Sequence, residues 1–283
     1  MNIIKNKKFE EERSLYALKD TTIDSCIFSS DSLIGESPLK ESDSIRVINS
    51  TFDLRYPLWH NRNSIIENTT FSNTSRAPFW YASNSKIINS QVFGVKFLRE
   101  CKDIEILNSM FTSDEFGWKC ENLKMSDSSV ESSYPFFETH NLELNNVNLK
   151  GKYSFQYVSN LKITNSYLDT KDAFWHTENA VIENTTIKGE YLAWFAKNLT
   201  FINCKIIGTQ PICYSENIVF KNCIMEDADL AFENSIVDID INSDLISIKN
   251  PISGKIVCNK INEIIFDDNK KPGKVEIVER SKQ

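Results

Sequence analysis

Glycine and proline are scarce in this chain, which has eight glycines and seven prolines among 283 residues. A β protein with many loops normally uses both residues at its turns. Asparagine, serine, isoleucine and phenylalanine are abundant instead. Asparagine tolerates the left-handed backbone conformation that a tight corner requires. The composition therefore indicates that asparagine replaces glycine at the turns.

An excess of positive charge is also missing, since the formal net charge is −7 and no basic cluster occurs along the chain. Phosphate binding needs a concentrated basic face, which argues against a nucleic-acid partner. No apolar run approaches the roughly 18 residues of a membrane-spanning helix, and residues 1–9 lack the apolar stretch of a signal peptide. We therefore expect a soluble, cytoplasmic protein without a membrane partner.

The cysteines lack the CxxC spacing that is typical of metal and redox sites. They occupy positions at which neighbouring repeats carry Ala, Ser, Thr or Val, so we expect small buried thiols, with no metal and no cofactor. The seven are Cys26, Cys101, Cys120, Cys204, Cys213, Cys223 and Cys258.

What the sequence does contain is a repeat of 19 residues. An apolar residue two places before an Asn or Asp serves as a marker, and its spacing is 19, then 21, then 19 seven times. The markers are Val47, Ile66, Ile87, Ile106, Met125, Leu144, Ile163, Ile182, Phe201 and Phe220. Such regular self-similarity is the signature of a solenoid.

Two columns of asparagine accompany the markers. One column comprises Asn49, Asn68, Asn89, Asn108, Asp127, Asn146, Asn165, Asn184, Asn203 and Asn222. The other comprises Asn63, Asn84, Asp103, Asn122, Asn141, Asn160, Asn179, Asn198 and Asn217. Identical side chains on successive turns can hydrogen-bond to one another about 4.8 Å apart. The columns predict two asparagine ladders at two corners.

The fold prediction is all-β: a right-handed parallel β-helix solenoid of about ten to twelve coils, because helical periodicity is absent and parallel crossovers are almost always right-handed. A leucine-rich repeat would need an LxxLxLxxN signature, which is missing. We expect one domain with three segments. Residues 1–46 form an N-terminal cap with one imperfect coil, and residues 47–236 form the regular coils. Residues 237–283 form irregular coils, a cap and a charged tail that follows Lys270-Lys271-Pro272-Gly273.

The third side of each turn, which precedes the second ladder column, is rich in aromatic residues. One turn reads Tyr56-Pro57-Leu58-Trp59-His60. The small residues at the next corner point inward. If side chains alternate as in a strand, counting back from these residues places the tryptophans inside and the residues that directly follow the tryptophans outside. A bulge would reverse this assignment. The tryptophans are Trp59, Trp80, Trp118, Trp175 and Trp194. The outward set includes Leu58, Phe79, Leu98, Asp172, Phe195 and Ile212.

Four segments resemble the signature of an uncharacterised bacterial family of unknown function with short-coil parallel β-helices. They are Glu12-Arg13-Ser14-Leu15-Tyr16, Gly35-Glu36-Ser37-Pro38-Leu39-Lys40, Arg55-Tyr56-Pro57-Leu58-Trp59 and Arg76-Ala77-Pro78-Phe79-Trp80-Tyr81. More distantly, the architecture is similar to the pectin-lyase-like superfamily, whose members often bind or cleave acidic polysaccharides. Neither resemblance supplies a matching catalytic motif, so it implies the fold and leaves the chemistry open.

The exposed aromatic stripe predicts a ligand groove or a protein interface. For a saccharide ligand, the expected binding residues are His60, Tyr81, Phe136, Tyr153, Phe155, Tyr157, Phe174, Tyr191 and Tyr214. A polysaccharide hydrolase or lyase is a second hypothesis, with Glu100, Lys119, Glu138 and His176 as catalytic candidates, since carboxylates two coils apart approach the separation in inverting glycosidases. A Glu-Lys-Glu column is also an ordinary salt-bridged surface. A homo-oligomeric scaffold that buries the aromatic face is the third hypothesis.

Overall fold

The computed structural model describes residues 2–30, 35–267 and 273–280. The chain forms two compact units, unit 1 (Met1–Glu143) and unit 2 (Leu144–Gln283). Every regular element among the described residues is a β-strand, which confirms the all-β prediction. The described part of the chain contains no helix that is long and apolar enough to cross a membrane.

Unit 1 is built from two stacks of parallel strands, one strand of each stack per turn. The first stack contains β1 (Asn2–Lys5), β3 (Thr21–Asp24), β5 (Arg46–Ile48), β7 (Ile65–Glu67), β9 (Ser83–Ile88), β11 (Lys102–Leu107) and the first half of β13 (Glu121–Ser133). The second contains β2 (Lys8–Phe9), β4 (Ile27–Ser29), β6 (Thr51–Asp53), β8 (Thr70–Phe71), β10 (Gln91–Val92), β12 (Met110–Thr112) and the second half of β13.

The pairing register explains the interval in the sequence. Val47 pairs with Ile66, and Ile87 pairs with Ile106, so one turn takes 19 residues. Ile66 pairs with Ile87, which makes that turn two residues longer. Within each unit the markers therefore occupy one inward column, and all of them are buried in the core.

Unit 2 repeats this architecture. Its first stack contains β15 (Ser159–Thr164), β17 (Glu178–Glu183), β19 (Lys197–Ile202), the first half of β21 (Glu216–Glu226), β22 (Ile236–Ile241), β24 (Ser253–Cys258) and β26 (Lys274–Glu279). The second contains the end of β14 (His140–Lys152), β16 (Tyr167–Lys171), β18 (Thr186–Lys188), β20 (Lys205–Ile207) and the second half of β21. A separate pair joins β23 (Asp244–Lys249) and β25 (Lys260–Ile265).

The described residues form about 14 turns, so the prediction of ten to twelve is too low. The segments predicted as caps contain additional turns, because β1 pairs with β3 and β22 pairs with β24, which pairs with β26. Positions 270–272 and the end of the charged tail lie outside the described residues. The single-domain interpretation stays a prediction.

Both predicted asparagine corners are present. Every residue of the two columns has a φ between 46° and 59°, the left-handed region that asparagine tolerates better than most residues. Side-chain amides join successive turns, as between Asn108 Nδ2 and Asn89 Oδ1 at 2.8 Å and between Asn217 Nδ2 and Asn198 Oδ1 at 3.0 Å. The ladders thus fix the corners from the solvent side.

Small side chains line the inner side of the corners. The backbone N–H of Ser90 donates to Ser109 Oγ at 3.0 Å, and Ser109 Oγ donates to a carbonyl of its own turn. Cysteines take the same place in later turns, where the N–H of Cys204 donates to Cys223 Sγ at 3.4 Å. All seven cysteines are buried and free, as predicted. Burial raises the pKa of the Cys213 thiol to about 12.

Candidate functional site

The third side of each turn is not a regular β-strand. In the turn from Tyr56 to His60, alternate residues adopt a left-handed backbone, with φ of 58° at Tyr56, 62° at Leu58 and 57° at His60. These residues donate their N–H groups between turns, as Leu58 does to Pro38 and His60 does to Trp80. Pro57, which lies between Tyr56 and Leu58, has no N–H to donate and only accepts a hydrogen bond, from the N–H of Phe79. Proline therefore fits here although it would disrupt a central strand.

This backbone orients side chains in consecutive pairs, because strict two-residue alternation belongs to extended strands only. In the turn of unit 2 that precedes Asn179, Ala173 and Phe174 are buried, whereas Trp175 and His176 are partly exposed. The predicted outward orientation is therefore wrong for the phenylalanine column. Phe136, Phe155 and Phe174 are fully buried core residues and do not belong to a binding surface. Leu58, Phe79, Leu98 and Ile212 are buried for the same reason.

The tryptophan column, predicted to lie inside, is half-buried at the surface. Each indole N–H donates to a backbone carbonyl of the next turn, as from Trp80 Nε1 to Lys96 O at 2.7 Å and from Trp175 Nε1 to Tyr191 O at 2.7 Å. The bond fixes the orientation of the indole and occupies its only donor. Tryptophan can therefore offer a ligand its ring surface but no hydrogen bond.

In unit 1, the tryptophans form a stack that includes an arginine. The ring centroids of Trp59 and Trp80 are 5.2 Å apart with nearly parallel planes. The guanidinium of Arg99 lies 4.6 Å from the ring centroid of Trp80 and 4.8 Å from that of Trp118. Arg99 also bonds to Glu115 at 3.1 Å. This cation–π arrangement accounts for the conformation of Arg99, which is part of the surface.

The outer column of unit 1 begins with aromatic rings and continues with charges. His60 stacks on Tyr81, with a centroid distance of 4.8 Å. The next members are the predicted catalytic residues Glu100, Lys119 and Glu138. Lys119 Nζ lies 3.2 Å from Glu138, in an ion pair of which both side chains are more than two-fifths exposed. An exposed pair of this kind is an ordinary surface ladder and contributes little to stability.

The outer column of unit 2 is aromatic in four successive turns. Tyr157, His176, Phe195 and Tyr214 stack with centroid distances of 4.6, 5.1 and 5.2 Å and interplanar angles of 7°, 9° and 14°. Tyr157, Phe195 and Tyr214 are 48%, 41% and 40% exposed. Trp175 and Trp194 form a second stack beside it, 5.4 Å apart. We call these six residues the aromatic face of unit 2.

The rings of the outer column repeat at the spacing of successive turns. Their centroid distances of 4.6 to 5.2 Å match the separation of about 4.8 Å between neighbouring strands, and their planes are nearly parallel. The neighbouring Trp194 ring lies at 78° to Phe195 and 70° to Tyr214, so the two stacks incline differently. The surface therefore presents aromatic rings at two inclinations.

Tyr153, Asp172 and Tyr191 precede these rings on the third side of their turns, and all three have a left-handed backbone. Tyr153 and Tyr191 are half-buried, and Tyr191 packs against Trp194. Asp172, predicted to point outward, is only 6% exposed, and this burial raises the pKa of its carboxyl. His176, the fourth predicted catalytic residue, is a member of the aromatic stack.

The sequence prediction placed Phe195 on the outward face without naming it as a binding residue, and it placed Trp175 and Trp194 inside. A signal for the tryptophans was present: proline recurs on the third side at Pro57, Pro78, Pro135 and Pro211. Since proline cannot take part in a central ladder, this column already excludes a regular strand and the two-residue alternation derived from it. The described residues contain no group of three or more His, Cys, Asp or Glu that could hold a metal ion.

Parallel strands stacked at 19-residue intervals, with asparagine corners and no helix among the described residues, define a parallel β-solenoid protein. The chain belongs to the family described as Protein of unknown function (DUF3737), whose model matches residues 2–278. The predicted membership of a family of uncharacterised β-helix proteins is thereby confirmed. A comparison with curated proteins finds no match.

Solved structures with a similar fold include three proteins of different kinds. The surface adhesin PfbA of Streptococcus pneumoniae is 9% identical, with a TM-score of 0.39, and the alignment covers 82% of this chain and 73% of the adhesin. The catalytic domain of a GH87 alpha-1,3-glucanase is 10% identical, with a TM-score of 0.34 and coverage of 99% and 64%. The periplasmic alginate epimerase AlgG is 10% identical, with a TM-score of 0.30 and coverage of 98% and 76%. Likenesses at this level carry no argument about activity.

Proposed function

We propose that this protein binds a saccharide on the aromatic face of unit 2. The observation that carries the proposal is the uninterrupted stack from Tyr157 to Tyr214, in which three of the four rings are at least two-fifths exposed. Exposing several adjacent aromatic rings forgoes the free energy that their burial would contribute. Such a surface is usually kept for a ligand or partner.

The chemistry of the face favours a saccharide among the possible ligands. A sugar ring presents apolar C–H groups on its faces and hydroxyl groups around its rim. The exposed rings of Tyr157, Phe195 and Tyr214 offer apolar surface to the C–H groups. The hydroxyls of Tyr157 and Tyr214 and the imidazole of His176 supply hydrogen-bonding groups beside them. The exposed corner amides of Asn179 and Asn198 follow three residues after the rings in their turns.

Aromatic stacking also suits nucleic-acid bases, but such sites combine stacking with a positively charged groove. The chain has a net charge of −7, and the nearby Lys197 lies 3.7 Å from Glu216, which neutralises it. The charge distribution therefore supports a neutral or weakly charged ligand.

The test is the double variant Tyr157→Ala/Phe195→Ala. Both side chains belong to the face, and both are largely outside the core, so we expect the double variant to keep the wild-type mass and melting temperature. It should lose binding to whichever member of a panel of glucan, xylan, mannan and alginate oligosaccharides the wild type binds. Titration calorimetry and sedimentation velocity measure binding and mass.

Tyr167→Ala is the matched control, because Tyr167 lies on β16 and is 43% exposed but is not part of the face. It should bind as the wild type does. A lower solution mass of the double variant would instead identify the face as a subunit interface. A wild type that binds no oligosaccharide of the panel would also refute the proposal.

A further inference from the structure

A groove of about 410 Å³ lies on the outer surface of unit 1, beside the second asparagine ladder. The ladder and a column of charged side chains on the first strand stack form its walls. The polar and charged residues that line it include Asn84, Asp103, Asn122, Lys86, Glu105 and Lys124. Its volume is within the range of small-molecule sites. It lies on a different side of the turns from the aromatic residues.

The ladder is interrupted in this groove. On both sides of this point an asparagine donates from Nδ2 to the oxygen of the preceding turn, as Asn84 does to Asn63 at 2.6 Å and Asn122 does to Asp103 at 2.7 Å. Asp103 has no N–H group on its side chain, so it cannot donate to Asn84 in turn. Among the described residues, no protein group donates to Asn84 Oδ1 or to the second oxygen of Asp103, and both side chains are exposed to solvent. Two acceptors on adjacent turns are therefore open to a ligand.

Two other aspartates that accept a hydrogen bond from a ladder amide differ from Asp103 because each has a cationic partner. Asp24 accepts from Asn49 and has Lys5 at 2.8 Å, and these partners lower its pKa to about 2. Asp43 accepts from Asn63 and has Arg62 at 3.3 Å. In both cases the chain supplies a cation to the aspartate. Asp103 has none within ion-pair distance in the described part of the chain.

The lysines of the groove do not fill this role. Lys86 Nζ lies 2.6 Å from Glu105, and Lys124 Nζ lies 3.2 Å from Glu143. Each lysine is thus paired with a glutamate, and no cation of the described chain pairs with Asp103. A ligand that pairs with Asp103 would bring one positive charge and N–H donors for two oxygens.

We propose that the groove binds an amino sugar, with its ammonium group between Asp103 and Asn84. An ammonium group has three donors, enough for both free oxygens and one further contact. The groove is much larger than a bare ammonium ion, and its asparagine and lysine side chains can bond to hydroxyl groups. One carboxylate without a cationic partner matches the single charge of an amino sugar better than the two charges of a polyamine.

The probes are glucosamine, glucose, N-acetylglucosamine, putrescine and calcium ion, each measured by NMR titration of the full chain. The three sugars share one ring and differ in the group at carbon 2, so they isolate the contribution of the charge. We expect glucosamine to bind at least about tenfold more tightly than glucose or N-acetylglucosamine. Tighter binding of putrescine or calcium ion, or equal binding of glucose, would overturn the proposal.

The decisive variant is Asp103→Asn, which has nearly the same shape and restores the missing donor to Asn84. We expect it to bind glucosamine at least about tenfold more weakly than the wild type, and to melt at the same or a higher temperature because the ladder becomes continuous. Loss of binding with retained stability distinguishes a ligand site from a damaged fold. Glucosamine binding that survives this substitution refutes the assignment.

Asp43→Asn is the matched control, since it changes a ladder aspartate that already has a cation partner and does not line the groove. It should keep glucosamine binding and lose some stability. The inference is independent of the proposed function. Glucosamine binding should persist in Tyr157→Ala/Phe195→Ala, and oligosaccharide binding at the aromatic face should persist in Asp103→Asn, so either proposal can fail alone.

Discussion

At the scale of the residue, asparagine combines two properties that the corners need. A left-handed backbone costs most L-residues about 1–2 kcal/mol, and asparagine bears this cost more easily than residues with larger or branched side chains. Glycine would be equally permissive, but it has no side chain with which to join adjacent turns. The ladder contacts, such as Asn222 Nδ2 to Asn203 Oδ1 at 2.8 Å, use the amide for that purpose.

Substitutions at Asn203 separate these two contributions. Its φ is 52°, and its amide donates to Asn184 and accepts from Asn222. We expect Asn203→Ala to lower the free energy of unfolding by about 2 kcal/mol, through backbone strain and two lost hydrogen bonds. Asn203→Gly removes only the hydrogen bonds and should cost about 1 kcal/mol. Urea denaturation measures both; equal losses would show that the backbone conformation contributes nothing.

At the scale of the element, the sequence predicts the two strand stacks well and the third side poorly. The marker Ile163 and the inner residue Leu168 follow the two-residue alternation of strands, and both are buried as expected. Phe155 and Tyr157 do not follow it, because left-handed residues with positive φ alternate along the third side with residues that lack a positive φ. A pattern of apolar residues predicts burial only when the backbone conformation is known, and the two-residue alternation presupposes an extended backbone that the third side lacks.

The neighbouring residues Phe155 and Tyr157 test this backbone directly. Phe155 is fully buried and Tyr157 is 48% exposed, although strand alternation would give both the same environment. We expect Phe155→Ala to cost about 3–5 kcal/mol, as for a buried ring that leaves a cavity. Tyr157→Ala should cost less than about 1 kcal/mol, as surface substitutions usually do.

Chemical denaturation of the two single variants measures the difference between their unfolding free energies. The buried Phe174 provides a replicate in the next turn, where Phe174→Ala should behave as Phe155→Ala does. Similar losses for Phe155→Ala and Tyr157→Ala would contradict the paired orientation of side chains on the third side.

At the scale of the whole molecule, the 19-residue period is what the sequence reveals most clearly, and its interruptions are what it reveals least. After Asn222 the regular asparagine spacing ends in the sequence, but Asn242 Nδ2 still donates to Asn222 Oδ1 at 2.8 Å. Ile239 then pairs with Ile256, in a shorter turn, and Ile256 pairs with Ile277, in a longer one. Strand pairing tolerates such changes at the corners, whereas a search for one fixed period does not detect them. The predicted number of turns was too low for this reason.

A solenoid whose turns contact mainly their neighbours should tolerate the removal of one whole turn. Deletion of residues 184–202 removes 19 residues and joins Glu183 to Asn203, so that Asn203 takes the corner position of Asn184 and Phe220 takes the place of Phe201 beside Ile182. We expect this variant to remain monodisperse, to keep its β-type circular dichroism and to unfold cooperatively in urea.

A deletion that is one residue shorter, of residues 184–201, serves as the control. It leaves one extra residue, Ile202, at the corner before Asn203, where that residue must be accommodated outside the strand pairing or else reverse the inward alternation of the next strand. That variant should unfold at a lower urea concentration than the 19-residue deletion. If both deletions fold equally well, register does not specify the stacking of turns, and if both fail, the turns do not act as interchangeable units.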